Sequence, residues 1–358
     1  MSYRQMLPFV MSANRDYEAD AAQKGSTIDV PISKPKIATD VTPSGNRPDA
    51  LPSSDQGLVQ IQLDNWQEVE FNLTDKDKKL IEKDDYFMPM DFHEAVKALA
   101  ESVETSVALQ YKDVYSVVGT AATTPFASDT TAAINARKKL NEYGVPKTDR
   151  TLIVDNDAGA NMLALPAFSQ VDQSSDSRLI IDGEIGRKLG FMNIEGNTVQ
   201  THTTGAAGTP LTDGGNTLGD TVVKIDGFST VPSVGDIFSL AGNDQTYTVI
   251  SATPLATGES DLTIQPPLAA TVADGVAATF VATHVANLAM HRDALTFSTR
   301  PLEGSDSSAA DISYMPDPET GLVLRVEVAR AHKADIWSLD ALWGSKMVRP
   351  YAATRVLG

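Results

Sequence analysis

The chain has 358 residues, with 29 Lys+Arg, 47 Asp+Glu and no Cys. That length predicts two or three structural units, and 42% hydrophobic against 21% charged residues excludes wholesale disorder. The missing Cys excludes disulfides, thiolate metal sites and Cys nucleophiles. A net charge of −18 argues against a reader of duplex DNA or RNA, which needs a basic face against the phosphates.

Residues 1–25 read as an arm. Asn14 to Glu18 is polar and helix-compatible, Gly25 stops it, and nothing in the segment can build a core of its own. From Ser26 the period changes to two. Ile28, Val30 and Ile32 alternate with polar residues, as do Val59, Ile61 and Leu63, then Val69, Phe71 and Leu73. Between the first two runs lies Thr39 to Gln56, rich in Pro, Gly and Ser. The unit 26–74 therefore reads as an extended hairpin with a long tip.

Thr74-Asp75 predicts the cap of a short helix through Glu82. Asp91 stands three residues before Glu94 in a capping-box-like start, with Val96, Leu99, Val103 and Val107 at helical spacing. A helix from Asp91 to Tyr115 is about 37 Å long at the usual rise, the longest element in the pattern. It belongs to a unit spanning 75–127.

From 128 onward helix and strand alternate, which predicts an α/β layer. Asp129 to Tyr143 reads as a helix stopped by Gly144 and Pro146, and Leu152 to Val154 as a buried strand. Asn156 to Leu165 reads as a short helix with Asp157 as its N-cap. Glu184 to Leu189 reads as another helix, followed by a strand Phe191 to Ile194.

At residue 201 the composition shifts. Residues 201–285 hold ten of the 24 glycines, with Lys224 as the one basic residue against eight acidic ones. Short strand patterns at 222–225, 237–240, 247–250, 262–264 and 278–281 are separated by turn signals. This predicts a small β barrel or sandwich without helices. Ala286 to His291 resumes apolar character, and 322–328 and 336–343 read as two long strands. The β module thus interrupts a unit made of 128–200 and 286–358.

The search for chemistry gives little. No phosphate-binding or dinucleotide fingerprint is present, and Gly183 to Gly190 lacks the required spacing. No Ser stands in a nucleophile elbow. His93, His202, His284, His291 and His332 are scattered, none with a second His three or four residues on. Asp155 to Gly159 fails as a calcium loop at the sixth and twelfth positions, Ala160 and Pro166. Asn72-Leu73-Thr74 matches a glycosylation acceptor by chance. Trp337 and Trp343 share a strand parity, as core packing requires. No catalytic, cofactor or metal residue is assigned, and the chain reads as no enzyme. The longest charge-free stretches, 196–212 and 275–291, fall short of the about 20 apolar residues of a membrane span. Arg4 and the absent apolar run at the start predict no export signal, so the protein is expected to stay in the cell that makes it.

The order of segments resembles the major capsid proteins of tailed bacteriophages with the Hong Kong 97-like fold. Asn14 to Glu18 followed by Gly25 to Pro31 looks like that class's arm leading into its hairpin loop. Gly144-Val145-Pro146, through Arg150 to Leu152-Ile153-Val154, looks like the start of its axial domain. Ile185 to Phe191, Asn287 to Ala294 with Arg300-Pro301-Leu302, and Trp337 to Gly344 with Arg349-Pro350 are similar to later stretches. The β module, with Val234 to Gly242 and Thr246 to Val249, looks like the inserted domain of one branch, typified by the Salmonella podovirus coat. At about 85 residues it is shorter than that branch's usual one.

The resemblance implies an α+β architecture: arm, hairpin, peripheral domain with a spine helix at 91–115, axial domain and inserted β barrel. It implies self-assembly as hexamers and pentamers into an icosahedral shell that encloses double-stranded DNA without reading its sequence. A scaffolding protein and a portal protein are the expected partners, with no membrane and no cofactor, and whether a decoration protein binds outside is not written in these residues. The implied location is the virion, after assembly in the bacterial cytoplasm, and the implied mechanism is conformational expansion. An acidic wall suits this, because it repels phosphate and leaves the polymer mobile. The rival readings are an encapsulin-like compartment, a β-rich surface adhesin and a hydrolase with an accessory domain. Whether metals or covalent cross-links join subunits is not written in these residues.

Overall fold

The computed structural model describes residues 7–16, 27–33, 56–76, 90–169, 185–255, 258–302, 310–317 and 320–358. Two sheets and a barrel are arranged around one long helix.

The first described element is α1, Pro8–Ser12. Phe9 is 2% exposed and Val10 fully buried, so this part of the arm lies on the main core. Its first turn has no local cap. The donors go elsewhere: Phe9 N–H and Val10 N–H donate to the Glu104 carboxyl at 2.6 and 3.2 Å, and Met11 N–H donates to the Leu7 carbonyl.

Strands β1, Thr27–Ser33, and β2, Gln56–Gln62, form a two-stranded antiparallel sheet with Ile28 opposite Ile61. Such a ribbon is marginal by itself in water. Its base is pinned by Ile28, Val30, Ile61 and Leu63 packed with Val348, each contributing about 1.5–3 kcal/mol by leaving water. Of the tip expected from Thr39 to Gln56, only Gln56 is described, and it opens β2. The expected hairpin of 26–74 is corrected at its third strand. β3, Asn65–Thr74, pairs with the long strand β19, Ala334–Met347, instead. Val69 and Phe71 find an apolar surface there that the narrow ribbon lacks.

The helix α2, Met90–Ala108, lays Ala95 and Leu99 against this peripheral sheet and Val103 and Val107 against the main core. The expected helix to Tyr115 is shorter. The ladder tightens at Ala108 into a 3₁₀ turn, Leu109–Asp113. Tertiary donors take the carbonyls of Lys112 and Tyr115, so the helix has no need to continue. The start of α2 and the short helix expected through Glu82 border or fall in 77–89, outside the described residues. The peripheral sheet is completed by β16, Leu295–Thr299, β17, Ala310–Pro316, and β18, Val323–Ala331, in the order β16-β19-β18-β17 with β3 across β19.

The axial sheet runs β4-β20-β15-β5-β7-β6. Its strands are β4, Val117–Val118, β5, Arg150–Val154, β6, Gly186–Lys188, β7, Phe191–Glu195, β15, His284–His291, and β20, Ala353–Leu357. Helices α3, Thr131–Glu142, α4, Asn156–Ala164, and α5, Pro166–Ser169, accompany it. Gly144, at φ +70°, supplies the expected stop after α3. Two readings are corrected. Asp155, in extended conformation, is the N-cap of α4, and Asp157 lies in the first turn. The expected helix 184–189 is a hairpin: Leu189 and Gly190 both have positive φ and form the two-residue turn between β6 and β7.

Within 201–285 the described residues of 207–280 fold as a six-stranded antiparallel sheet in the order β14-β11-β12-β13-β10-β9. These are β9, Ala207–Thr212, β10, Val222–Thr230, β11, Ile237–Leu240, β12, Thr246–Pro254, β13, Ser260–Gln265, and β14, Ala278–Phe280. A bridge from Leu211 to Ala277 joins the two outer strands, which curls the sheet into a barrel around Val223, Phe238, Tyr247, Val249 and Leu262. No helix occurs among its described residues.

Candidate functional site

The barrel joins the axial sheet through a neck of two strands. β8, Thr201–His202, pairs with the start of β15, placing His202 opposite His284 and Thr201 opposite Val285. The chain leaves and returns at neighbouring positions, the geometry in which an inserted domain disturbs its host least.

Five elements converge at this neck. The Asp236 carboxylate, on the β10–β11 connection, accepts from the backbone N–H groups of Ser233, Gly205 and Ala206 at 2.9, 3.1 and 3.1 Å. It also pairs with Nε2 of His202 at 2.7 Å. A carboxylate only accepts, so Nε2 of His202 carries the proton. Its Nδ1 then accepts from the Tyr111 hydroxyl at 3.0 Å. The His284 ring centroid is 5.3 Å from that of His202, and its Nδ1–H donates to the Ala282 carbonyl at 2.8 Å.

Arg355, on β20, is fully buried beneath them. It donates to the carbonyls of Gly235 at 2.8 Å and Lys112 at 3.0 Å, and its guanidinium lies 5.0 Å over the Tyr111 ring. Burial pushes its pKa down to about 9 against the pull of Tyr111, Asp113 and Asp236. Burial also raises the Tyr111 phenol. Two barrel threonines complete the seat: Thr248 Oγ1 donates to the Lys112 carbonyl and Thr246 Oγ1 to the Tyr115 carbonyl, at 2.9 and 2.8 Å. Gly235, at φ +95°, is required where the barrel meets Lys112, because a Cβ there would stand 2.9 Å from its side chain.

Tyr111, His202 and Asp236 form a row that could pass a proton, but they are 4%, 3% and 0% exposed. No substrate reaches them, so the row is a docking joint that fixes the barrel to its host. Sequence spacing did not find it, since His202 and His284 are far apart in the chain. One signal was present: a Thr-His dipeptide stands at each end of the module, Thr201-His202 and Thr283-His284.

The remaining histidines lie elsewhere. Nδ1 of His291 accepts from Asp293 N–H at the start of a 3₁₀ turn, while His93 and His332 are exposed on α2 and on the β18–β19 turn. Trp343 and Trp337 share a face of β19. Trp343 is fully buried and Trp337 stacks on Phe71 at 6.2 Å. Among the described residues no group of three His, Asp or Glu side chains could hold a metal, and no helix is long and apolar enough to cross a membrane.

The second candidate surface is the ribbon and its surroundings. Leu58 is 63% exposed opposite Pro31, and Trp66, at the start of β3, is 60% exposed while its Nε1 donates to Asp340. A polar cleft of 550 Å³ lies beside the ribbon base, between Gln60, Asp64, Gln110 and Lys346. Gly344 seats the ribbon, since a Cβ there would lie 2.2 Å from the Gln62 carbonyl oxygen.

No protein-family model matches the chain, and no curated protein matches it in sequence. Solved structures do match in fold. A structure from Mycobacterium phage Che8 is 15% identical at a TM-score of 0.52, covering 97% of this chain and 89% of that one. The capsid structure of the cyanophage P-SCSP1u is 10% identical at a TM-score of 0.50, covering 93% and 84%. At these identities the likeness shows the fold: this α+β chain is built like the subunit of a phage capsid over nearly its whole length.

Proposed function

We propose that this chain is a capsid shell protein, the major coat subunit of a tailed bacteriophage. The observation that carries the reading is the fold shared with a phage capsid over 93% of the chain. The long ribbon supports it. Two strands with an exposed Leu58, beside an exposed Trp66 on β3, gain little as part of a monomer and much as a reach onto a neighbouring copy.

In this reading the fold is the Hong Kong 97-like one, and the inserted barrel supports the branch whose axial domain carries such a module. Units 1–25, 26–64, 65–127 and the axial domain act as arm, hairpin, peripheral domain and axial domain. Copies assemble as hexamers and pentamers through heterologous contacts that close into an icosahedron. A scaffolding protein guides the precursor and a portal occupies one vertex. Expansion accompanies packaging of double-stranded DNA. The net charge of −18 keeps the wall from holding the polymer. The virion is its location, and it performs no catalysis.

Negative-stain electron microscopy of the protein, expressed alone and with its neighbouring genes, tests the reading. Closed shells or polyheads are expected. Shells that form beside an enzyme cargo and without portal or terminase genes would instead identify an encapsulin-like compartment.

A further inference from the structure

The neck of the barrel combines features that a purely structural joint does not need. His202 and His284 sit directly opposite each other on the two strands that carry all covalent traffic to the barrel. His284 is 2% exposed, its Nδ1–H is spent on the Ala282 carbonyl, and its Nε2 is buried without a hydrogen bond among the described residues. The ring is therefore neutral, with a lone pair held in the interior.

The charged and titratable groups around that ring come from every element packed against it: His202 on β8, Asp236 on the β10–β11 connection and Arg355 on β20. Behind them stand Tyr111, through His202, and Asp113, beside Arg355. The nearest carboxylate, Asp236, already takes His202 and three backbone donors. Arg355 is a full cation in the same pocket. A second positive charge here meets the Arg355 cation and no free acceptor, which is costly away from water.

We propose that the neck is an acid-sensitive latch, in which protonation of His284 releases the barrel from its seat against the Leu109–Asp113 turn and β20 while the barrel itself stays folded. The barrel has its own core, separate from the main one, so it survives release. The bonds that break are those of the seat, Arg355 to Gly235 and Lys112, Thr248 to Lys112 and Thr246 to Tyr115, and those of the neck, Gly205 and Ala206 to Asp236. This inference concerns the single chain and does not rest on the shell reading.

Burial holds the His284 pKa at about 4, against 6.5 for a free imidazole. The released state binds the proton more readily. The seated state is thus fully favoured above pH 6.5 and loses ground as the pH falls toward 4. Between pH 7 and pH 5 the released population rises about twenty-fold.

Hydrogen exchange on the full chain, corrected for its intrinsic pH dependence, reads this directly. The N–H groups of Gly205 and Ala206 report the neck, and that of Val249, bonded to the Asp236 carbonyl, reports the barrel. Between pH 7 and pH 5, protection at Gly205 and Ala206 is expected to drop about twenty-fold while Val249 holds. His284→Asn keeps a donor for the Ala282 carbonyl, cannot titrate, and is expected to abolish the drop. The proposal is overturned if neck protection is unchanged at pH 5, if Val249 loses protection in parallel, or if H284N responds like the parent. Should H284N fail to fold, histidine-selective NMR of the parent decides: a His284 ring that titrates near 6.5 contradicts the latch.

Discussion

Replacing Glu104 by Gln should change the stability of this chain with opposite sign at pH 5 and pH 8. Glu104 lies on α2, is fully buried, and receives Phe9 N–H and Val10 N–H from the uncapped first turn of α1. Desolvation outweighs those two bonds and raises its pKa from 4.5 to about 8. An acid whose folded pKa is raised keeps a proton that the unfolded chain has lost. Its contribution is fully present below pH 4.5 and falls as pH rises toward 8, by about 1.4 kcal/mol per unit. The accumulated cost is about 1 kcal/mol at pH 5 and about 4 kcal/mol at pH 8.

Gln carries no such cost. It offers one acceptor oxygen, and its amide N–H₂ faces one of the two backbone donors, a loss of about 1–3 kcal/mol. E104Q should therefore be less stable than the parent at pH 5, by about 1 kcal/mol, and more stable at pH 8, by about 2 kcal/mol. Urea denaturation followed by tryptophan fluorescence at the two pH values measures both. A difference between variant and parent that stays constant from pH 5 to pH 8 would refute the reasoning.

Three further substitutions probe the other contacts. Gly344→Ala puts a methyl group into the Gln62 carbonyl and should cost about 1–3 kcal/mol in the same denaturation experiment, by prising the ribbon base off β19. Arg355→Met leaves the Gly235 carbonyl without its donor, the Lys112 carbonyl with Thr248 alone and Asp236 without a neighbouring cation, a loss of about 3–5 kcal/mol. Limited proteolysis should then cut R355M within 203–206 or 281–283 and leave the barrel as a resistant fragment. Leu58→Asp, at an exposed site, should leave monomer stability within about 0.5 kcal/mol. Sedimentation should show fewer large assemblies if the ribbon reaches a neighbour.

Periodicity made the regular parts of this fold legible. The two-residue alternation of Ile28-Val30 and Val59-Ile61 marks strands that do pair, and the glycine-rich stretch with one lysine marks a separate barrel. What the pattern hid was partner choice. Val69, Phe71 and Leu73 alternate as a third ribbon strand would, yet their partner is β19, far along the chain, because only the peripheral sheet and α2 can cover Phe71. Leu189 and Gly190 sit in a stretch with helix-like composition, and their positive φ values turn it into a hairpin. The neck was invisible for a further reason. Its members come from five separate elements, and each alone is an ordinary Tyr, His, Asp or Arg. Their meaning comes from burial, which no local window carries.

The central claim is that copies of this chain close into a shell. Electron microscopy of the purified full chain, co-expressed with its neighbouring genes, is its most direct test. The account predicts uniform closed particles or tubes of regular capsomers. A protein that stays monomeric under every condition, with its neighbours present, would contradict it.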